Sequence, residues 1–326
     1  MKTHVSISAR EIKGPLNLSL TISSGQTSQP AWAIDNNYYK EFLLVDNQPF
    51  LIKLSQEELI GSVEMEIESN SEFNLKPILK EVRRIFDLDY DLTNFYEFLK
   101  EDPKLAPTID FCKGLRLFKA QNIFECLISS ICSANNSIIR WNRSIRVMRE
   151  KWGDSYKLPS GKFHTFPSPS TILNLPEHEI EEMELCGGDK NIEECIHNLK
   201  ACGVGYRGKY IKKASSMLNH DLKLEKLGQM SYDNAFETLL EFPGVGPKVA
   251  DCILLYGYGM GEAFPTDVWI KRIISHLYFD QEDIPVSKIR EFGQNQFGEY
   301  AGYTQLYLFH YARKSGLLNK LKPVKK

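Results

Sequence analysis

The sequence contains no long apolar run. None of its 326 residues lies in a stretch long enough to cross a membrane, and the opening MKTHVSISAREIKG lacks the apolar core of a secretory signal peptide. An excess of positive charge is absent too, because 40 Lys and Arg face 42 Asp and Glu. These absences exclude a membrane-spanning protein, predict a soluble intracellular one, and remove the simplest argument for nucleic-acid binding.

Paired cysteines are also absent. The chain has seven cysteines at irregular spacings, which argues against a disulfide framework. Three of them fall in apolar helical patterns, where free cysteine acts as a small core residue: Cys126, Cys132 and Cys252. Cys186, Cys195 and Cys202 form a loose cluster, but structural zinc sites favour closely spaced pairs, so no metal site is predicted there.

The balanced total charge hides an asymmetry along the chain. Residues 1–110 carry a net charge of −7, and the remainder carries +5. A difference of this size is compatible with scatter. It nevertheless leaves a basic remainder that is available to an acidic partner.

The first third of the chain predicts an antiparallel sheet. Apolar and polar residues alternate from Leu16 to Ile22, which indicates a strand followed by a Ser-Gly turn. Apolar runs at 42–45 and 50–54 are separated by Asp-Asn-Gln-Pro, a hairpin signal, and alternation returns at 63–67. Helical patterns begin near residues 75 and 94.

The remainder predicts helices. An apolar stripe spans 124–131, a second helix is predicted over 136–152, and the Pro/Ser/Gly-rich stretch 157–170 predicts a loop. Further helices are predicted near Glu179, Ile192, Lys209 and Tyr232, and from Lys248 onward. We therefore predict an α+β fold with an N-terminal antiparallel sheet domain at 1–108 and a mostly helical domain at 109–326.

The segment from Leu239 to Arg272 carries the clearest chemical signal. A helix is predicted to end near Phe242, Pro-Gly-Val-Gly makes a tight turn, and a second helix begins near Pro247. Gly244 and Gly246 permit close approach, and the helix start offers free backbone N–H groups to a phosphate. Such turns are also common between helices that bind nothing.

Lys248 and Asp267 extend this signal. Lys248 falls in the first turn of the second helix, where desolvation and the helix dipole should lower the pKa of its amine and make it a nucleophile. Asp267 follows Phe-Pro-Thr, where it can cap the next helix and face that amine. The ordinary explanation of Lys248 is a solvated surface lysine, and that of Asp267 is a plain helix cap.

These residues resemble the signature of helix–hairpin–helix DNA glycosylases. In that superfamily the lysine displaces the damaged base and forms a Schiff base at C1′, and the aspartate stabilises developing positive charge. A lysine at 248 therefore implies a bifunctional glycosylase and β-lyase. Relatives of the endonuclease III type often carry four cysteines after the aspartate, and this chain has no cysteine after Cys252, which excludes that iron–sulfur cluster.

Further blocks resemble 8-oxoguanine DNA glycosylases. They occur in the family's order and span most of the chain: Ser24-Gly25-Gln26, Gly114 to Leu127 continuing to Asn135-Asn136-Ser137, Gly205-Tyr206-Arg207, and Tyr300 to Phe309. The resemblance implies that the N-terminal sheet is similar to that of the TATA-box-binding protein. It also implies that the partner is double-stranded DNA containing oxidised guanine, bound by a monomer.

The resemblance assigns DNA-binding roles to a further set of residues. Asn135 would fill the gap left by the extruded base and Tyr206 would wedge the stack. Arg140 and Arg207 would grip the opposite cytosine, which suits the forked guanidinium. The hairpin residues Gly244, Val245 and Gly246 would meet the DNA backbone.

The base pocket follows from the same resemblance. The carbonyl of Gly25 would read the N7–H that distinguishes 8-oxoguanine from guanine, Cys252 and Phe309 would sandwich the base, and Gln305 would contact its Watson–Crick edge. Cys252 and Phe309 also lie on apolar helical faces, so both remain candidates for plain core residues.

The chain departs from the family pattern at three places. Thr27-Ser-Gln-Pro-Ala-Trp32 stands where the family has Phe-Arg-Trp, which changes the pocket rim. Trp269 and Ala312 occupy positions where many relatives carry a histidine and an aspartate. The region 185–202 is longer than in familiar relatives.

We expect a bifunctional glycosylase and AP lyase that removes 8-oxoguanine opposite cytosine. A helix–hairpin–helix glycosylase for another damaged purine and a non-catalytic DNA-binding protein remain the alternatives. No organic cofactor is expected, and the hairpin carbonyls near Val245 are a candidate site for a Na⁺, K⁺ or Ca²⁺ ion that bridges to phosphate.

Overall fold

The N-terminal part of the chain folds into a five-stranded antiparallel sheet. The computed structural model describes residues 1–176, 198–220, 224–317 and 321. The sheet strands, in chain order, are β1 Lys2–Ile7, β2 Ala33–Asp35, β3 Tyr38–Val45, β4 Gln48–Ser55 and β5 Val63–Glu68. Their order across the sheet is β1-β5-β4-β3-β2, with every neighbouring pair antiparallel. The predicted sheet is thereby confirmed.

The central hairpin of the sheet follows directly from the local sequence. Val45 pairs with Gln48, so Asp46 and Asn47 form a two-residue turn, and both adopt positive φ angles of 51° and 60°. Asp and Asn tolerate this conformation better than other non-glycine residues, and it matches the twist of the flanking strands. The hairpin signal between the two apolar runs is confirmed.

Helices cover one face of the sheet and build the rest of the molecule. The helices described before the gap at 177–197 are α1 Leu18–Ser23, α2 Leu75–Ile85, α3 Leu92–Glu101, α4 Thr108–Phe111, α5 Ile123–Ser133, α6 Ile138–Trp152 and α7 Pro169–Leu173. Those described after it are α8 Arg207–His220, α9 Leu224–Leu227, α10 Tyr232–Leu240, α11 Pro247–Ile253, α12 Val268–Tyr278, α13 Val286–Phe297 and α14 Ala301–Lys314. A π-helical turn, Leu254–Tyr258, extends α11, and short 3-10 turns lie at Ala9–Glu11, Leu199–Cys202 and Gly298–Tyr300.

The prediction of a strand at 16–22 is wrong, because this segment contains a helix. Asn17 accepts a hydrogen bond from the backbone N–H of Leu20 at 3.0 Å and begins α1, which buries Leu18, Thr21 and Ile22. This i, i+3, i+4 spacing is a helical face. The alternating leucines hid it because a six-residue segment satisfies both periods. The first strand is instead β1, which pairs with β5 at the edge of the sheet.

The stretch 157–170, predicted as a loop, contains part of a second, two-stranded sheet. Strands β6, Ser155–Leu158, and β7, Gly161–His164, form a hairpin, and Phe163 stacks on Phe42 of β3 with ring centroids 5.8 Å apart. The turn between β6 and β7 is attached to β5, because the backbone N–H of Ser160 donates a hydrogen bond to the Glu68 carboxylate at 2.7 Å. Contacts with the outer face of the main sheet therefore form strands that local composition did not indicate. The helices predicted near Glu179 and Ile192, and most of the long region 185–202, lie outside the described residues.

Buried arginines join the sheet to the helical body. Arg149 on α6 makes a bidentate pair with Glu125 on α5, at 2.8 and 2.9 Å, and also donates to Glu41 on β3 at 2.9 Å. Arg116 is fully buried and donates to main-chain carbonyls of two separate segments, 13–15 and 87–90. The boundary at 108/109 stays a prediction, although Phe118 packs in the core of the sheet.

Neither a helix suited to a membrane nor a cluster of metal-ligating side chains occurs in the described ranges. In residues 1–176, 198–220, 224–317 and 321 no helix has both the length and the apolar character to cross a bilayer. Within the same ranges, no group of three His, Cys, Asp or Glu side chains is placed to hold a metal ion. Cys126, Cys132 and Cys252 are buried free thiols, as their apolar helical patterns predicted.

Candidate active site and DNA-binding face

The helix–hairpin–helix predicted from the glycines is present. Helix α10 ends at Leu240, the backbone N–H of Val245 donates to the Phe242 carbonyl at 3.0 Å, and α11 begins at Pro247. Gly244 has a φ of 84°, and a Cβ there would lie 2.7 Å from the ring of Tyr210 on α8. Glycine is therefore required by the turn and by close packing at once.

The start of α11 presents an open helix terminus. Gly246 is its N-cap and supplies no side-chain hydrogen bond, and Pro247 occupies the first turn. A Cβ on Gly246 would meet nothing within 4 Å, so the surface above this terminus is unobstructed. Free N–H groups and the positive end of the helix dipole suit a phosphate group of DNA.

Lys248 lies in the first turn of α11, one turn before Cys252. Its side chain is partly buried and interacts with the Cys252 thiol and the Asp267 carboxylate. Burial lowers the pKa of the Lys248 amine, whereas Cys252 and Asp267 raise it, and together these effects place the pKa above its ordinary value. The expectation of a lowered pKa is therefore wrong for the free protein, because these two neighbours outweigh desolvation. The amine carries a proton until substrate or solvent removes it.

Asp267 combines two roles in one position. Its carboxylate caps α12 by accepting hydrogen bonds from the backbone N–H groups of Trp269 and Ile270, both at 2.9 Å. The same carboxylate acts electrostatically on the Lys248 amine. The Asp267 carboxylate is thus both the predicted helix cap and the predicted partner of Lys248, which lies nineteen residues earlier in the chain.

Two other buried segments expose one residue each. Residues 24–30 are buried except Gly25, which has a φ of 84° and would place a Cβ 2.6 Å from Cδ1 of Ile138. In α14, residues 301–310 are buried except Phe309, whose ring carries the Arg313 guanidinium 5.5 Å from its centroid. Gly25 and Phe309 thus interrupt otherwise buried runs, as residues that face a ligand would.

Gln305 supplies an unsatisfied polar group. It lies one turn before Phe309 on α14, is 7% exposed, and its Oε1 has no hydrogen-bond partner in the described part of the chain. A buried amide oxygen without a partner is energetically unfavourable, so a donor from a bound molecule is the expected complement. This observation fits the predicted contact of Gln305 with a base edge.

The structure adds two hydroxyls that the sequence did not single out. Thr27 lies two residues after Gly25 and interacts with the Cys252 thiol, and its hydroxyl lies 3.3 Å from the Ser130 hydroxyl. Burial raises the pKa of Cys252 more than Lys248 and Thr27 lower it, so the thiol is neutral at physiological pH. In the sequence, Thr27 could have been found as a pocket residue because it lies two residues after Gly25 and begins the segment that departs from the family pattern.

A continuous surface links the Asn135 loop to the hairpin. Asn135 is exposed with a φ of 49°, and Arg207 donates to the carbonyls of Ala134 and Asn135, at 3.1 and 3.2 Å. The Arg207 guanidinium also lies 4.5 Å from the ring centre of Tyr206, which is 59% exposed. In the free protein Arg207 therefore shapes the loop that would enter DNA, instead of pointing towards a partner base.

Tyr210 extends this surface to the hairpin glycines. Its ring meets Tyr206 edge to face at 6.0 Å and covers Gly244. Tyr206 lies immediately before α8, and its i, i+4 spacing to Tyr210 was the available sequence signal for Tyr210. Arg140 is exposed in the first turn of α6, after the same loop. The structure thus gathers the predicted DNA-binding residues on neighbouring elements.

The two residues that replace the family's histidine and aspartate are placed very differently. Trp269 is 39% exposed in the first turn of α12, whereas Ala312 is fully buried in α14. The Arg272 guanidinium lies 4.9 Å from the Trp269 ring centre.

Two family models and a curated relative match most of the chain. Residues 6–127 match the family model described as 8-oxoguanine DNA glycosylase, N-terminal domain, and residues 128–297 match the HhH-GPD superfamily base excision DNA repair protein. The chain is 41% identical to a probable N-glycosylase/DNA lyase of Methanothermobacter thermautotrophicus, over 95% of this chain and 97% of that protein.

Solved structures give the same result in three dimensions. The fold is similar to MBOgg1 in complex with a low-affinity DNA ligand, with a TM-score of 0.78, 28% identity and 96% coverage of both chains. It is also similar to the 8-oxoguanine glycosylase/lyase of Clostridium acetobutylicum bound to double-stranded DNA with cytosine opposite 8-oxoguanine. That similarity has a TM-score of 0.75 and 26% identity, and covers 97% of this chain and 98% of the other.

Proposed function

The chain belongs to the 8-oxoguanine DNA glycosylases of the HhH-GPD superfamily, and from this premise we propose how its residues act. The protein is a DNA N-glycosylase and AP lyase that removes 8-oxoguanine opposite cytosine from duplex DNA. One observation carries the assignment of its site: Lys248 and Asp267, far apart in sequence, interact beside the buried Cys252 thiol.

Lys248 is the nucleophile of this proposal. Its neutral amine attacks C1′ of the damaged nucleotide, the glycosidic bond breaks, and the base leaves with the bonding electrons. The attached amine then loses a proton and the C1′–O4′ bond breaks, with O4′ taking up a proton, which leaves a protonated Schiff base. Asp267 stabilises the positive charge that develops on the sugar and then on this Schiff base. Loss of a C2′ proton from this Schiff base then releases the 3′ phosphate by β-elimination.

Base recognition falls to the pocket residues. Gln305 offers its amide, whose buried Oε1 has no partner among the described residues, to the Watson–Crick edge, and the Gly25 carbonyl accepts the N7–H that guanine lacks. Phe309 and Cys252 enclose the base between a partly buried ring and a buried thiol. Apolar enclosure combined with a few placed polar groups is typical of pockets for extruded bases.

The DNA-binding surface positions the duplex. Asn135 enters the stack, Tyr206 wedges it, and Arg140 and Arg207 hold the unpaired cytosine. For Arg207 this requires exchange of its hydrogen bonds to the loop carbonyls for acceptors on the base. The open terminus at Gly246 receives a phosphate.

A cation at the hairpin is part of the same proposal. In the described part of the chain, the Val245 carbonyl accepts no backbone hydrogen bond, so it is available to Na⁺, K⁺ or Ca²⁺. Replacement of K⁺ by tetramethylammonium at equal ionic strength should weaken DNA binding if such an ion bridges to phosphate.

No organic cofactor is needed for this chemistry. The proposal also places the protein inside the cell, in keeping with its five buried free thiols among the described residues.

Borohydride trapping tests the nucleophile. The wild-type protein should form a covalent adduct with a duplex containing 8-oxoguanine opposite cytosine, and Lys248→Gln should abolish it. Lys100→Gln, which changes a surface lysine paired with Glu97, is the matched control and should trap normally. An adduct that survives Lys248→Gln would overturn the assignment.

A panel of single-lesion duplexes tests the substrate. Release of 8-oxoguanine should be faster than release of ring-opened or alkylated purines. Faster release of another purine would favour the alternative lesion, and the absence of any base release would favour a non-catalytic DNA-binding protein.

A further inference from the structure

A buried carboxylate that the reaction does not use lies on the helix of the nucleophile. Asp251 follows Lys248 by three residues on α11 and is fully buried. Arg290 on α13 donates to both of its oxygens, at 2.7 and 3.1 Å, and Tyr232 at the start of α10 also donates to it. Because a buried ion pair often adds little stability over apolar packing, a role other than stability is expected for it.

Gln294 completes a hydrogen-bonded group, the Asp251 cluster, which consists of Tyr232, Asp251, Arg290 and Gln294. The side-chain amide of Gln294 on α13 donates to the Tyr232 hydroxyl at 2.9 Å and to the backbone carbonyl of Glu262 at 3.2 Å. The Arg290 guanidinium donates to the same hydroxyl. The cluster therefore joins both helices of the helix–hairpin–helix to α13.

The Glu262 carbonyl extends the cluster to the segment that leads to Asp267. Residues 259–266 connect the π-helical turn after α11 to α12, which Asp267 caps. Gln294 holds this segment, while Asp251 holds the helix that carries Lys248. One group of side chains thus contacts both parts of the chain that supply the reacting amine and carboxylate.

We propose that the four side chains of the Asp251 cluster are positioning residues, which fix α11 against the segment before Asp267 and so set the separation of the Lys248 amine and the Asp267 carboxylate. A misplacement of about 1 Å can lower a reaction rate by about 100-fold. The cluster should therefore govern the rate of the chemical step more than the affinity for DNA. This inference rests on the proposed function, because it takes Lys248 and Asp267 as the reacting pair.

Single-turnover cleavage of a duplex with a natural abasic site tests the inference. The Lys248 amine adds to the C1′ aldehyde of this site with loss of water, so the Schiff base forms without release of a base. Tyr232→Phe removes the hydroxyl that three hydrogen bonds of the cluster share. The cleavage rate at saturating protein should fall by about 10-fold, while the affinity for a duplex with tetrahydrofuran opposite cytosine should change by less than about 2-fold.

Tyr96→Phe is the matched control. Tyr96 on α3 is also partly buried, and its hydroxyl bonds the Tyr307 hydroxyl at 3.1 Å and accepts from the Gly114 N–H at 2.8 Å. Urea unfolding should show a loss of stability comparable to that of Tyr232→Phe. The cleavage rate of Tyr96→Phe should nevertheless equal that of the wild type.

Gln294→Met tests the same role with a smaller change, and it serves if Tyr232→Phe fails to fold. Methionine keeps the length of the side chain and removes the hydrogen bonds to Tyr232 and Glu262. The cleavage rate should fall by about 3-fold, because the same segment is also held by the Gly302 N–H, which donates to the Gly261 carbonyl at 2.8 Å. Gln296→Met, at an exposed position of the same helix, should cleave as the wild type does.

The pH–rate profile distinguishes positioning from a loss of stability. Asp267 raises the pKa of the Lys248 amine, so displacement of this carboxylate should move the profile of Tyr232→Phe to lower pH. A purely structural role of the cluster leaves the profile of the folded protein unmoved.

The outcomes separate this inference from the proposed function. Wild-type rates and pH profiles in both Tyr232→Phe and Gln294→Met would overturn the positioning role, and so would an equal loss of rate in Tyr96→Phe. Failure of the wild-type protein to release 8-oxoguanine would contradict the proposed substrate, while cleavage of the abasic duplex still measures the role of the cluster.

Discussion

At the scale of single residues, the reaction depends on the proton that the Lys248 amine carries. Burial lowers the pKa of this amine, and Cys252 and Asp267 raise it above its ordinary value. Attack requires the neutral amine, so the single-turnover rate of base release should rise with pH through the neutral range. Desolvation by bound DNA would favour the neutral form further.

Asp267→Asn isolates one of these effects. The variant removes a negative charge that raises the pKa of Lys248, so the pH–rate profile should move to lower pH. The maximal rate should fall by about 10-fold or more, because the charge that stabilises the sugar cation is gone. Asparagine is as good a helix cap as aspartate, so folding should be kept. Asp283→Asn, which removes the exposed partner of Lys271, is the control, and an unmoved profile in Asp267→Asn would refute the coupling.

The burial of His310 predicts that the stability of the folded protein decreases in acid. Burial, together with Lys314 and Arg313, lowers the pKa of this imidazole to about 4. Below pH 6.5 the unfolded chain binds a proton that the folded protein excludes, so the free energy of unfolding should fall as the pH drops. The contribution of His310 to that fall amounts to at most about 3 kcal/mol by pH 4.

His310→Gln should remove this contribution. Urea unfolding of both proteins at several pH values between about 4 and 7 measures it, because the carboxylates titrate equally in both. The wild-type free energy of unfolding should decline more steeply than that of the variant. Parallel curves would show that His310 is protonated in the folded protein.

At the scale of elements, the helix–hairpin–helix depends on Gly244. Alanine there would adopt a φ of 84° and place its Cβ 2.7 Å from the Tyr210 ring. We expect Gly244→Ala to destabilise the protein by more than the strain of about 1–2 kcal/mol for a left-handed residue, because Tyr210 must also move. DNA affinity should fall as the hairpin and the tyrosine surface separate.

Gly316→Ala is the matched comparison. Gly316 has a φ of 77° and open space around its Cβ position, so alanine there tests backbone strain alone. Thermal unfolding and DNA titration of both variants give the difference. Equal losses of stability would show that the packing of Tyr210 adds nothing to the requirement for glycine.

The elements also show which parts of the fold the sequence could predict. The hairpins at Asp46-Asn47 and at Gly244 were predictable because the residues in each turn determine its backbone angles. Helix α1 was predicted as a strand because alternating leucines fit two periods, and only contact with the core decides between them. The hairpin β6–β7 was missed since it is held by Phe42 and Glu68, about a hundred residues earlier in the chain.

The same distinction applies to the site. Lys248 and Asp267 could be singled out from local sequence, whereas the roles of Asn135 and Tyr206 follow only from the family resemblance and stay predictions. The raised pKa of Lys248 could not be predicted, because it depends on the side chains that surround the amine in three dimensions. The contact of Thr27 with Cys252 was hidden for the same reason, since the two residues come from different parts of the chain.

At the scale of the whole molecule, the site exists only if the sheet and the helical body keep their relative position. Gly25 follows α1, which packs with the sheet, and Lys248 belongs to the helical body. Arg149 crosses this junction, since it pairs with Glu125 and with Glu41 on β3. Its guanidinium therefore links the sheet to the helical body.

Arg149→Met should break this link. The variant leaves Glu125 buried without its partner, and such a loss costs about 3–5 kcal/mol, compared with less than about 1 kcal/mol for an exposed pair. Burial already raises the pKa of Glu125, so without Arg149 this carboxyl should be protonated and the cost should grow as the pH rises. Addition of Glu125→Gln should recover part of the lost stability at neutral pH. Lys100→Met, in the exposed pair with Glu97, is the control. If urea midpoints show equal effects for Arg149→Met and Lys100→Met, the buried pair does not hold the sheet and the helical body together.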